Sequence, residues 1–128
     1  MEIDGFVALH ERLSLTFGGH RFEGRDTAEV PLADVPADRA YLGLRQHRKR
    51  WGWRLRWERR AAKDDPGSGE KTIGQADLVS AAVDYELRTG LTLVVSVRNA
   101  LDESYFNAAD RRVPLAVGRS ASILFRWS

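Results

Sequence analysis

The chain has 128 residues, a net charge of +2 and no cysteine, so it provides one domain or one part of a larger domain. The lack of cysteine excludes disulfide frameworks, cysteine zinc sites and thiol catalysis. The small charge does not by itself indicate a nucleic-acid binder. No stretch approaches the roughly 18 apolar residues of a membrane helix. A mean hydropathy of -0.40 still fits a membrane β-barrel, whose strands alternate apolar and polar residues.

Alternation of apolar and polar residues recurs along almost the whole chain and predicts seven strands. The clearest is the stretch 91–99, in which β-branched residues are frequent and no helical stripe fits better. In chain order the predicted strands span residues 3–10, 13–22, 40–47, 51–60, 76–87, 91–99 and 119–127.

The connections between the predicted strands alternate in length. Residues 10–12, 48–50 and 88–90 make tight turns, whereas 24–38, 61–75 and 100–118 are long and rich in Gly, Pro, Asp and Asn. Short turns at one end and long loops at the other are typical of bacterial outer-membrane barrels. The sequence therefore predicts an all-β fold, an antiparallel up-and-down meander of about seven strands that is part of a transmembrane β-barrel.

The segment 46–60 interleaves basic residues with tryptophan and has two interpretations. Basic residues and indoles on one surface would suit nucleic acid, because the former bind phosphates and the latter stack on bases. In a strand, however, the indoles share one face, and Arg54, Arg56 and Arg60 share the other. The barrel interpretation is favoured: Trp51, Trp53, Leu55 and Trp57 would meet lipid, while Arg54, Arg56, Glu58 and Arg60 would line a wet lumen.

The last two strands allow the same assignment. We expect the lumen-facing residues to be Ser96, Arg98, Ser122 and Arg126. We expect the lipid-facing residues to be Leu93, Val95, Val97, Ile123 and Phe125.

Sequence features of catalysis and metal binding are weak. His10, His20 and His47 lie far apart and none belongs to a closely spaced pair, so no metal site is predicted. No nucleophile elbow or convincing helix is present on which to build a catalytic serine. We therefore expect neither an enzyme nor a cofactor-binding protein.

The stretch 97–120 resembles the last outer loop and flanking strands of TonB-dependent outer-membrane receptors, in which a strand ends in Asn-Leu-x-Asp-x-x-Tyr and the next begins near Pro-Gly-Arg. The positions that carry the resemblance are Asn99, Leu101, Asp102, Tyr105, Gly118 and Arg119. Less sharply, 73–79 is similar to the family's strand opening and 42–45 to another of its strands. The resemblance covers roughly residues 35–128.

The resemblance implies that residues 1–128 are the C-terminal segment of a receptor barrel in the cell outer membrane. The start of the chain has no signal-peptide pattern, so we expect the export signal, the plug domain and the TonB contact to lie in a preceding region. Such a receptor takes up a nutrient such as an iron chelate, including siderophores, or cobalamin. Two alternatives stay open: a small standalone outer-membrane barrel or structural remnant, and a soluble β-rich nucleic-acid-binding module.

Two groups of residues are the candidate sites. The predicted ligand contacts of the last outer loop are Tyr105, Phe106, Asn107, Arg111 and Arg112, because arginines beside aromatic rings suit an anionic or aromatic chelate. The second group, Ile123, Phe125 and Trp127, resembles the signal that the outer-membrane assembly machinery recognises on a barrel's final strand. The implied partners are thus the remainder of the barrel and plug, TonB, that machinery and the lipid bilayer, without nucleic acid.

Overall fold

The computed structural model describes residues 1–21, 38–62, 74–105, 116 and 118–128. Within these residues, seven strands form one antiparallel sheet in sequence order. They are β1 (Glu2–His10), β2 (Leu13–His20), β3 (Arg39–His47), β4 (Trp51–Arg60), β5 (Ala76–Arg88), β6 (Leu91–Arg98) and β7 (Ser120–Trp127). The predicted meander is confirmed. The prediction extends β2 by two residues beyond His20: Arg21 is not part of the strand, and Phe22 lies outside the described residues.

Cross-strand pairing sorts the side chains onto two faces, because paired residues share a face and successive residues alternate. Leu55 pairs with Leu44 on one side and Ala81 on the other, and Val95 pairs with Val83 and Ile123. We call this surface the apolar face. Its central residues are Val7, Leu15, Phe17, Leu42, Leu44, Trp51, Trp53, Leu55, Trp57, Val79, Ala81, Val83, Tyr85, Leu93, Val95, Val97, Ile123, Phe125 and Trp127.

The opposite surface, the polar face, carries most of the charge. The larger apolar exceptions on it are Phe6, Leu78, Val94 and Leu124. Its polar and charged members are Glu2, Asp4, Thr16, His20, Arg39, Tyr41, Arg45, Arg54, Arg56, Glu58, Arg60, Ser80, Asp84, Ser96, Arg98, Ser120, Ser122 and Arg126. The face assignment predicted for β4, β6 and β7 agrees with this register.

The sheet has no core of its own. Among the described residues, the buried hydrophobic side chains are only Ala76 and Ala82. The chain exposes 9123 Å², whereas a globular protein of its mass exposes about 6,800 Å². Ile123 and Phe125 are 70% and 63% exposed, and β1 and β7 each have one unpaired edge. Both the apolar face and the sheet edges therefore lack partners within the described part of the chain.

The two ends of the sheet differ as predicted. One end, which we call the turn end, has the short connections 11–12, 48–50 and 89–90. The other end, which we call the loop end, has the long connections 21–38, 61–75 and 99–119. Gly90 adopts a φ of 82°, which glycine tolerates because it has no Cβ. Its carbonyl accepts a hydrogen bond from the Ser128 amide at 2.9 Å.

The described residues contain no helix long and apolar enough to span a membrane.

Candidate functional site

A hollow of about 580 Å³ lies on the polar face over β4, β5 and β6 and reaches the loop end. The uncharged polar residues of its lining include Ser80, Ser96, Asn99, Tyr105 and Ser120. Among the described residues, the charged ones that line it are Arg54, Arg56, Glu58, Arg60 and Arg98. Four arginines against one glutamate give the hollow a positive potential, so it attracts anions.

Glu58 neutralises only part of this charge. Its carboxylate accepts hydrogen bonds from Arg60 Nε at 2.8 Å and Arg56 Nη2 at 3.3 Å. Arg54 stands directly opposite Arg45 in the neighbouring strand. Within the described part of the chain, neither of these two arginines has a hydrogen bond or ion pair. Like charges in directly opposed positions repel each other, so an anion bound between them would be stabilising.

Tyr105 is the one predicted ligand residue that the structure describes. Its ring lines the hollow, and the Arg60 guanidinium lies 4.9 Å from the ring centroid, within the range of a cation–π contact. The Tyr105 carbonyl accepts a hydrogen bond from the Ala116 amide at 2.8 Å. The other predicted contacts, Phe106, Asn107, Arg111 and Arg112, lie outside the described residues.

The motif that carries the resemblance forms a clasp at the base of the last loop. Asn99, only 6% exposed, donates through Nδ2 to the Glu103 carbonyl at 2.8 Å and accepts from the Glu103 amide at 3.0 Å. Asp102 accepts from the Arg119 amide at 2.8 Å. A Cβ on Gly118 would lie 2.9 Å from that Asp102 oxygen. The clasp thus joins the end of β6 to the start of β7 and holds the chain that bears Tyr105.

Asn99 and Asp102 adopt left-handed backbone conformations, with φ of 50° and 57°. Asn and Asp occupy this region more readily than other residues with a side chain, because their short polar groups bond locally. Asn99 and Asp102 therefore have a structural role, which is to occupy the left-handed backbone positions at the base of the loop. The sequence resemblance alone does not reveal this role.

A second group of polar residues meets on β1 and β2 at the loop end. One potential ligand atom from each of Glu2, Asp4 and His20 lies within 4.8 Å of the others. His20 Nδ1 is 3.6 Å from Glu2 Oε1, and its Nε2 is 4.0 Å from Asp4 Oδ1. The expectation of no metal site relied on sequence spacing, which does not detect this group because cross-strand pairing brings Glu2 opposite His20.

Tyr41 connects the two regions of the polar face. Its hydroxyl donates a hydrogen bond to Asp4 Oδ1, although Gly18 of β2 lies between their strands. The Arg56 guanidinium lies 4.0 Å from the centroid of the Tyr41 ring. Tyr41 therefore contacts both the group of Glu2, Asp4 and His20 and an arginine that lines the hollow.

All four tryptophans of the chain lie on the apolar face. Trp53 donates to Gln46 Oε1 at 2.9 Å, and Trp57 donates to Asp77 Oδ1 at 3.1 Å. Arg54, Arg56 and Arg60 lie on the face opposite the indoles. Arg59 lies on the same face as Trp57, but it forms an ion pair with Asp77. Within the described residues, β4 therefore does not form the combined stacking and phosphate surface of the nucleic-acid interpretation.

The three predicted assembly-signal residues lie on one face of the edge strand β7. Ile123, Phe125 and Trp127 pair with Val95, Leu93 and Leu91 of β6, respectively. Trp127 is 67% exposed, and the Arg88 guanidinium lies 4.9 Å from its ring centroid. The register thus aligns these residues, and their role in assembly stays a prediction.

No protein-family model and no curated protein matches the sequence. Among solved structures, the chain is similar to the copper transporter OprC, with a TM-score of 0.89 and 15% sequence identity. The match covers 99% of this chain and 23% of that one, so the chain spans about a quarter of that protein's length. At this identity the likeness shows the fold alone: a seven-stranded antiparallel meander that forms one segment of a larger β-barrel.

Proposed function

We propose that this chain is part of the wall of an outer-membrane receptor that takes up a nutrient with energy supplied through TonB. The proposal rests mainly on one observation: a sheet without a core has a continuous exposed apolar face opposite a charged one. A soluble antiparallel sheet covers its apolar face with another layer. In a membrane barrel, lipid covers that face and the lumen hydrates the other.

The dimensions and ends of the sheet support a membrane position. Its strands have 8 to 13 residues, and a tilted membrane strand needs about 9–11. Trp51 lies near the turn end and Trp57 nearer the loop end of β4. Indoles suit both interfaces, because the ring is apolar and its N–H needs a polar partner. The short turns would then face the periplasm and the long loops the exterior.

The unpaired edges of β1 and β7 support membership in a larger barrel. Exposed strand edges leave backbone N–H and C=O groups without partners, and such groups are costly in lipid. A closed barrel removes both edges. We infer that further strands pair with β1 and β7, and that a plug domain from the same receptor fills the lumen.

The hollow supports the proposed kind of nutrient. Arg54, which has no ion pair within the described residues, and the Tyr105 ring suit an anionic or aromatic ligand, because guanidinium groups bind carboxylates and stack on rings. An iron chelate such as a siderophore has these properties, and cobalamin is the other candidate. The similarity to a copper transporter supports transport as the general activity.

Bromine quenching of tryptophan fluorescence tests the membrane position. The chain would be refolded into liposomes that contain brominated lipid, and we expect all four indoles to be quenched by bromine and protected from aqueous iodide. A matched comparison uses two variants in which all four native tryptophans are replaced by phenylalanine. One variant then carries a single tryptophan at position 95, and the other carries it at position 96. Val95→Trp should respond to bromine and Ser96→Trp to iodide. Equal responses at the two positions would contradict the proposal.

Fractionation and uptake test the receptor. An antibody against this chain should detect, in the outer-membrane fraction, a polypeptide several times heavier than 14.4 kDa. A 14.4 kDa species there would favour a standalone barrel, and a soluble species would contradict both. In the intact receptor, the Arg54→Ala variant and the double variant Arg111→Ala, Arg112→Ala should each reduce uptake of an anionic iron chelate. Uptake and affinity unchanged by all three substitutions would show that these arginines do not contact the ligand.

A further inference from the structure

We propose that Glu2, Asp4 and His20 form a binding site for a divalent transition-metal ion at the loop end of the polar face. This inference goes beyond the proposed uptake of a chelate. It requires the pairing of β1 with β2 and the position of Tyr41, and it holds whether or not the chain belongs to a TonB-dependent receptor.

The positions of the three side chains permit coordination. In a tetrahedral site with bonds of about 2.0–2.2 Å, neighbouring ligand atoms are about 3.3–3.6 Å apart. One atom from each of the three side chains already lies within 4.8 Å of the others. The Glu2 and Asp4 side chains are 66% and 48% exposed, so their rotamers can close this gap without a backbone movement. The remaining coordination position would be filled by water.

The donor set selects the class of ion. Two carboxylates supply two negative charges and His20 supplies a neutral nitrogen, which together balance a divalent cation. Imidazole favours zinc, copper and nickel over calcium and magnesium. Calcium takes 6–8 oxygen ligands, more than Glu2 and Asp4 provide. The site therefore suits a transition metal.

The geometry also orients the ligands. The two ring nitrogens of His20 face different carboxylates, Nδ1 toward Glu2 and Nε2 toward Asp4. The ion would bind one of these nitrogens, and the exposed carboxylate beside the other nitrogen would turn to the same side of the ring to complete the site. Tyr41 is a positioning residue, because its hydroxyl bonds to Asp4 Oδ1 and it need not touch the ion.

A metal-free ion-pair cluster is the competing explanation, because a protonated His20 between two carboxylates would be stable without an ion. Calorimetric titration of the refolded 128-residue chain in detergent with Zn²⁺, Cu²⁺ and Ca²⁺ separates the two. The amino terminus would be acetylated, so that the Met1 amine cannot act as a ligand. We expect one Zn²⁺ or Cu²⁺ per chain and much weaker Ca²⁺ binding. Proton competition should weaken the binding as pH falls.

Substitutions locate the site. His20→Asn and Glu2→Gln should each lower Zn²⁺ affinity by at least about 100-fold, since each removes a ligand, and Tyr41→Phe by about 10-fold. His10→Asn is the matched control, because His10 lies at the turn end of β1. The paramagnetic resonance spectrum of bound Cu²⁺ should show one imidazole nitrogen, which His20→Asn removes and His10→Asn retains.

Circular dichroism would establish that each variant keeps the strand content of the parent chain. Failure of the folded parent chain to bind Zn²⁺ saturably would refute the metal site. Binding that survives His20→Asn, or Ca²⁺ affinity equal to that for Zn²⁺, would refute it equally. None of these three results would bear on the lipid quenching described above, so this proposal and the receptor proposal can fail independently.

Discussion

The hydroxyl of Tyr41 donates a hydrogen bond to the carboxylate of Asp4 across Gly18. Tyr41 belongs to β3 and Asp4 to β1, and Gly18 of β2 pairs with both. The two side chains meet because the residue between them has no Cβ. A Cβ at position 18 would lie 2.5 Å from Tyr41 Cε1 and would also collide with Asp4 Oδ1. The glycine therefore makes a contact between next-nearest strands possible.

Gly18→Ala should separate Tyr41 from Asp4 and lower the denaturant midpoint of the refolded chain in detergent. Gly19→Ala is the matched control, because a Cβ there would meet only the Arg39 carbonyl, at an ordinary 3.6 Å. We expect a clearly larger loss of stability at position 18. Equal midpoints for the two variants would show that the Tyr41–Asp4 contact contributes nothing to stability.

Val95→Arg should destabilise the barrel far more than Ser96→Arg. Val95 lies between Val83 and Ile123 on the apolar face, where an arginine near the bilayer midplane costs roughly 2–4 kcal/mol. Ser96 lies on the polar face, where its hydroxyl is 2.6 Å from that of Ser122. Unfolding free energies in lipid, measured by denaturant titration, compare the two variants. Comparable costs would exclude the assignment of lipid and lumen faces.

The 128-residue chain should aggregate in detergent-free buffer and become monodisperse when detergent is added. Its apolar face and two strand edges are uncovered, and such surfaces associate in water. Size-exclusion chromatography with light scattering would measure the state of the chain. A sharp monomer peak without detergent, together with a cooperative thermal transition, would argue against a membrane barrel.

Asp102→Ala should loosen the clasp at the base of the last loop, whereas Asp102→Asn should be tolerated. Alanine removes the acceptor for the Arg119 amide and disfavours a φ of 57°, with a loss of stability on the order of 1 kcal/mol. Asparagine retains an acceptor oxygen and adopts the same backbone region. Denaturant midpoints would rank the variants. If Asn lowers the midpoint as much as Ala does, the carboxylate charge contributes to stability and the hydrogen bond from the Arg119 amide does not.

Trp127→Ala should lower membrane insertion of the full-length receptor more than it lowers the stability of inserted barrels. Trp127 stands last in the series with Ile123 and Phe125 on the edge strand, where an aromatic ring can anchor at the interface while the strand offers free backbone groups. Leu124→Ala, on the opposite face of the same strand, is the control.

The measurement compares the inserted fraction in cells with the denaturant midpoint of purified barrels. If Trp127 is only a lipid-facing ring, its loss lowers the midpoint and leaves the inserted fraction unchanged. That outcome would rule out a role as an assembly signal.

Sequence alone was sufficient to predict the strands and their faces. A strand repeats every two residues, so the alternation around Leu93 and Val95 shows both the element and the side that meets an apolar environment. The alternating lengths of the connections indicated the meander, because antiparallel neighbours need only a short turn at one end. These are local properties, which neighbouring residues specify without knowledge of the rest of the chain.

The sites required the tertiary structure, because they join residues that are distant in sequence. The register between β1 and β2 places Glu2 opposite His20, and Tyr105 reaches Arg60 from a loop 45 positions further along the chain. The sequence also does not show that Gly18 allows Tyr41 to reach Asp4, since that depends on the alignment of three strands. Register is set by pairing over the whole sheet and by the burial of one face, so only the assembled sheet decides which polar groups meet.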